Sequence, residues 1–151
     1  MLYVDDKIIQ TGIININSFQ HDNNAKLSLA EAQQKLLLAY YRFGLNYVKN
    51  EMKVPYTNPT YKWITINNKT CLLWNYTMSG EVPGTKNKNI NLSMICFSHI
   101  LNINTLLESG QEIENSEDML MKIAKTLKEN NFKIDLNTLQ KKTHPYKAPS
   151  N

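Results

Sequence analysis

Arginine is almost missing from this chain. Of its 17 basic residues only Arg42 is Arg, and the other 16 are Lys. Nucleic-acid readers rely on the planar, bidentate guanidinium for base edges and phosphates. The lysines are also scattered, apart from Lys86 and Lys88 and a C-terminal group of Lys141, Lys142 and Lys147. With a net charge of only +4, this pattern reads as a solvated surface and no nucleic-acid partner is expected. Cysteine is equally sparse. Cys71 and Cys96 are the two in the chain, too few for a disulfide scaffold and without a CxxC pair. Both fall in strand-like stretches, where buried free thiols are the default, although one cross-strand bridge stays open. Glycine is scarce too, and no P-loop, GxGxxG or GxSxG occurs, so no nucleotide cradle or nucleophile elbow is expected. No run of about 18 apolar residues exists, so no transmembrane segment is expected. The start, MLYVDDKIIQ, has no basic region followed by an apolar one. That leaves the compartment open between the cytoplasm and, for a chain whose signal has been removed, the periplasm or a lipid anchor.

What is present is a soluble globular composition, with 42% hydrophobic and 20% charged residues over 151 positions. That length fits a single domain with a real core. We place the domain at residues 1–136 and a polar, proline-containing tail at 137–151.

The strongest pattern is Leu27 to Lys53. Ser28 and Glu31 have capping-box spacing and Leu27 stands at a hydrophobic-staple position. Two apolar rows follow at steps of three and four. The first is Leu29, Ala32, Leu36, Tyr40, Phe43 and Tyr47. The second, beginning at Ala30, continues through Leu37, Tyr41, Leu45, Val48 and Met52. Gly44 interrupts the helix at a cost of about 1 kcal/mol relative to Ala, or permits the close approach of a neighbour. Pro55 ends the pattern. One helix on one sheet should not need both rows. We therefore assign the first row to the sheet. The second row, Leu37, Tyr41, Leu45, Val48 and Met52, is the candidate surface for a partner protein, including a second copy of this chain.

The remaining elements read mostly as strands. Lys7 to Asn17 is rich in β-branched residues, with Gly12 marking a bulge. Val54 to Thr60 is a loop fixed by two prolines. Lys62–Ile66 and Thr70–Met78 form a hairpin around Asn67-Asn68-Lys69, because Asn tolerates left-handed backbone. In the second of these strands Leu72, Trp74, Tyr76 and Met78 alternate with Cys71, Leu73, Asn75 and Thr77, the pattern of an antiparallel strand packed on one side. After a loop at Ser79–Lys88, Asn89 to Leu101 reads as one long strand and Asn102 to Asn115 as a transition. Ser116 to Asn130 is a second helix with Ser116 as N-cap. Phe132 to Leu136 is a possible edge strand.

The order strand, long helix, hairpin, long strand, short helix carries a resemblance. With Trp63-Ile64-Thr65-Ile66-Asn67-Asn68-Lys69-Thr70 on the hairpin and Ile123-Ala124-Lys125-Thr126-Leu127 closing the last helix, the chain resembles the Mog1/PsbP-like fold over about Ile8 to Leu127. The resemblance implies an α+β class: an antiparallel β-sheet packed against one long helix and a second, C-terminal helix, as an αβα sandwich. It also implies a non-enzymatic role as a protein-binding adaptor, an accessory subunit, or a secretion-effector chaperone or immunity-type protein. It carries over no functional residue.

Chemistry is hard to find. His21, His99 and His144 lack ligand spacing, and His21-Asp22 is a weak metal pattern on a loop. Cys96 and His99, three apart on one strand, should point to opposite faces. Cys71 with His99 across strands stays open. No catalytic residue, cofactor or metal is expected. The competing class, an enzyme or small-molecule binder, requires Tyr61, Trp63, Trp74 and Tyr76 to line a concave surface beside His99.

Overall fold

A computed structural model describes residues 2–4, 7–16, 29–79, 85–108 and 112–127. Their order is β1 (Leu2–Val4), β2 (Lys7–Asn15), α1 (Leu29–Asn50), β3 (Tyr56–Ile66), β4 (Lys69–Ser79), β5 (Lys86–Cys96), β6 (His99–Leu107) and α2 (Ile113–Thr126). The strands form one sheet in the order β1-β2-β6-β5-β4-β3, and every neighbouring pair is antiparallel.

The class is α+β, but the expected sheet has to be corrected. The sequence reading gave four strands with a fifth at Phe132–Leu136; the described residues alone hold six. The stretch Asn89–Leu101 is not one strand. The chain reverses at Phe97 and Ser98, so that Cys96 stands opposite His99, and the supposed transition after Asn102 is most of β6. Phe97 takes a left-handed φ of 54°, a conformation that Gly or Asn would advertise and Phe conceals. β3 likewise begins at Tyr56, inside the expected loop. Its register shifts between Thr57 and Thr60, where Asn58 has φ 51° and Pro59 follows. This is the sheet's bulge, and the ladder runs unbroken through Gly12. The hairpin around Asn67 and Asn68 is as expected; both residues have positive φ, as a two-residue type I′ turn requires.

The helices lie on opposite faces of the sheet. One core joins Cys71, Leu73, Ile90, Leu92, Met94 and Ile103 to Met119, Leu120 and Ala124 of α2. The other joins Leu72, Trp74, Tyr76 and Ile100 to Leu37, Leu45 and Val48 of α1. β4 is therefore buried on both faces along Cys71–Trp74, not on one as its alternation suggested. Ser116 is not an N-cap. It lies one turn inside α2, fully buried, and its Oγ accepts a 2.7 Å hydrogen bond from Lys7 Nζ. Ser28 of the capping box, the staple residue Leu27, the stretch Phe132–Leu136 and the tail 137–151 fall outside the described residues.

Beneath α1 the sheet carries a polar seam. Trp74 Nε1 donates to Ser93 Oγ at 2.9 Å, Ser93 Oγ donates to Asn102 Oδ1 at 2.7 Å, and Asn102 Nδ2 donates to Asn91 Oδ1 at 3.2 Å. Ser93, Asn91 and Asn102 are all buried. Such a chain fixes strand register, because any slip leaves a buried polar group without its partner.

Candidate functional site

The two apolar rows of α1 sit the other way round from the sequence assignment. Leu37 is fully buried, and Leu45 and Val48 are buried beside it against β4 and β6. Tyr41 is half-buried, its ring 5.4 Å from that of Trp74 and 5.4 Å from that of Tyr61. Of the five residues assigned to a partner, only Met52 is exposed. The row assigned to the sheet turns outward only in part. Leu36 is buried and Tyr40 packs partly buried beside Trp74, but Phe43 and Tyr47 are 51% and 50% exposed. Their rings stack at 6.3 Å with an interplanar angle of 27°, which makes one apolar ridge on the outer surface of the helix. Leu29 is exposed at the helix start.

The cause is the packing of Trp74. A Cβ built on Gly44 would lie 3.0 Å from its ring, so the helix approaches the sheet over Gly44. That contact brings Leu37, Tyr41 and Val48, within one or two turns of it, onto the sheet. Tyr40 and Tyr41 meet the indole edge-on at 6.3 and 5.4 Å. Tyr76 stacks on it at 6.0 Å, and Tyr56 meets Tyr76 at 5.8 Å. Tyr61 and Trp63 continue the cluster along β3. Burial pushes the Tyr40 hydroxyl up to about 12 and raises those of Tyr41 and Tyr76 as well. These tyrosines are therefore kept neutral.

Tyr61, Trp63, Trp74 and Tyr76 thus share the face under α1. His99, paired with Cys96 in the core that meets α2, belongs to the other face. The four aromatics do not line a concavity beside His99. The Phe97–Ser98 reversal does correct one geometric expectation: Cys96 and His99 are direct cross-strand partners on the same face, not opposed along one strand. His99 Nδ1 lies 3.3 Å from the hydroxyl of Ser98 on the exposed turn. Cys96 borders a hollow of about 190 Å³ lined by Ile66, Asn67, Lys69, Met94, Ala124 and Leu127. Cys71 lies deeper on the same face, and burial drives its thiol up to about 11, far from the thiolate a nucleophile requires. Both cysteines are free thiols. A second hollow of about 430 Å³ opens between the end of α1 and the start of β3, bounded by Lys49, Lys53, Val54, Pro55 and Tyr56. Among the described residues no three His, Cys, Asp or Glu side chains are placed to hold a metal ion. No helix among them is long and apolar enough to cross a membrane. His21 and His144 lie outside the described residues.

One edge of the sheet is also part of the surface. Because the Asn67-Asn68 turn holds two residues, Ile66 and Lys69 exchange both of their backbone hydrogen bonds. Ile64 with Cys71 and Lys62 with Leu73 do the same, alternating along the ladder. The N–H and C=O groups of Tyr61, Trp63 and Thr65 therefore point away from β4. Among the described residues no strand pairs with that side of β3.

No protein-family model and no curated protein matches the chain. Among solved structures, the crystal structure of the protein of unknown function PA94 from Pseudomonas aeruginosa is similar, with a TM-score of 0.46 and 12% identity over 85% of this chain and 88% of that one.

Proposed function

We propose that this chain is a non-enzymatic protein-binding module that meets its partner through the outer ridge of α1. The observation that carries the reading is the stacked, half-exposed pair Phe43 and Tyr47. The outer face of a helix on a sheet is ordinarily polar. Aromatic residues held in place on a rigid element, by contrast, are the commonest anchors of protein interfaces, because they bury a large area at little cost in rotamer entropy. Two such rings one turn apart suit a partner groove that takes helix residues spaced by four.

The test is site-specific photocrosslinking in the native cell. A photoreactive residue replaces Phe43 or Tyr47, and the same group at exposed Asp118 on α2 is the control. The expected result is one protein captured from positions 43 and 47 and not from 118. The purified pair should then bind at least ten times more weakly after Phe43→Ala with Tyr47→Ala. Identical capture from all three positions, or reconstituted binding indifferent to the double variant, would overturn the reading.

A further inference from the structure

We propose that the outer edge of β3 is a self-association surface, on which a second copy of this chain pairs antiparallel across a two-fold axis at Trp63. Sheets usually guard their edges with proline, bulges and lysine. Here the guards cover only half the strand. The bulge between Thr57 and Thr60, with Pro59 inside it, interrupts the first half. Lys62 lies in the second half, but its side chain is on the α2 face. Its Nζ is held 2.6 Å from Glu117 Oε2 there, so its charge is matched within its own chain. β1, at the other edge of the sheet, has three residues and offers far less ladder.

The half that no described strand covers is self-complementary. With Trp63 on the axis, the outward residues pair as Tyr61 with the partner copy's Thr65, Trp63 with itself, and Thr65 with the partner copy's Tyr61. All three pairs fall at hydrogen-bonded positions and close six backbone bonds. On the α1 face this puts indole against indole and tyrosine against threonine, both favourable cross-strand combinations. On the α2 face each Lys62 meets an Ile64, so no like charges oppose. The helices pack on the two faces of the sheet and not along this edge: α1 lies chiefly over β4 and β5, with Tyr41 reaching Tyr61, and α2 spans β3, β5 and β6 on the opposite face. A six-bond strand contact buries less than a standard interface, so the dimer should form and dissociate with concentration.

The full chain is measured over a concentration series by sedimentation equilibrium and by amide hydrogen exchange. The expected result is a monomer–dimer equilibrium in which the amides of Tyr61, Trp63 and Thr65 slow as dimer forms. Those of Lys62 and Ile64, already bonded to β4, should stay slow at every concentration. Trp63→Lys and Trp63→Glu should each raise the dissociation constant at least tenfold, and an equimolar mixture of the two should recover association. Should either fail to fold by circular dichroism, Thr65→Pro replaces them. It removes an outward N–H without touching the β4 ladder, and it too should raise the dissociation constant at least tenfold. Phe43→Ala with Tyr47→Ala should leave association unchanged, which separates this surface from the α1 ridge. A chain that is monomeric throughout, or a dimer in which the three amides exchange as fast as in the monomer, would overturn the proposal. So would edge amides that slow only in the presence of a different protein.

Discussion

Gly44→Ala should destabilise this protein, although the same change in most helices stabilises. Alanine gains roughly 1 kcal/mol of helix propensity over glycine, and it also restricts the unfolded chain. Against that stands the ring of Trp74, whose nearest atom would lie 3.0 Å from the new Cβ. The ring has little room to retreat. Its Nε1 is bonded to buried Ser93, Tyr40 and Tyr41 close two sides, and Tyr76 stacks on it. Forcing a methyl group into a packed contact costs about 1–3 kcal/mol. The net expectation is therefore a loss of about 1 kcal/mol. It would be read in urea denaturation as a lower midpoint with an unchanged slope. Trp74→Phe removes the outer ring and opens space for the methyl group. In a double-mutant cycle the two changes should couple by about 1 kcal/mol or more, the pair being less damaging than the sum of the singles. A higher midpoint for Gly44→Ala, or additive effects, would show that the helix does not approach the sheet through Gly44. The assignment of its faces would fall with it.

Three further outcomes follow from the same packing. Leu37→Ala should cost about 2–5 kcal/mol as a cavity in the core, whereas Phe43→Ala should stay within about 0.5 kcal/mol; denaturant midpoints compare them directly, and similar losses would mean the two rows are misassigned. Ser93→Ala deprives the Trp74 indole of its acceptor and Asn102 of its donor, so a loss of about 2–3 kcal/mol is expected in thermal or urea melts, with little change refuting the seam. Alkali should unfold the chain as follows: the Tyr40 hydroxyl ionises near pH 10 in the unfolded state and near 12 when folded, so its stabilisation is complete below pH 10 and is lost as pH rises toward 12. Tyr40→Phe should flatten that part of the stability–pH curve, and an unchanged slope would place the cause elsewhere.

Elements whose boundaries carry chemical signals were legible in the sequence. The Asn67-Asn68 turn is an example, because Asn accepts positive φ and the flanking β-branched residues leave no other reading. The Phe97-Ser98 reversal was not legible. Phe97 is not a turn former, Ser98 is only a weak signal without Gly, Asn, Asp or Pro beside it, and the apolar alternation of β5 runs on into β6 without a break. The two strands merged into one, the sheet lost a strand, and Cys96 and His99 were sent to opposite faces. The bulge was sought at a glycine, Gly12, and found instead at Asn58-Pro59. A proline in an edge strand marks a bulge as readily as it marks a loop, and the longer strand was hidden by taking it as a loop.

The candidate surface shows a different limit. Periodicity locates apolar rows on a helix but does not say which row meets the sheet when both are apolar. That is decided by shape: the row flanking the smallest residue can come closest to the largest ring. Gly44 stands three residues after Tyr41 and four before Val48, on the side of the helix that carries Leu37 and Leu45. A sheet containing Trp74 beneath that side draws it in. Phe43 and Tyr47 are left outside by the same contact, and their exposure is a consequence of where Trp74 sits. The row taken as surplus is thus largely buried within the chain, and the apolar residues left outside are the aromatic pair. The exposure of Phe43 and Tyr47 and the close approach of Gly44 to Trp74 are two results of one packing choice, and for that reason the Gly44→Ala cycle bears on the proposed interface as well as on the core.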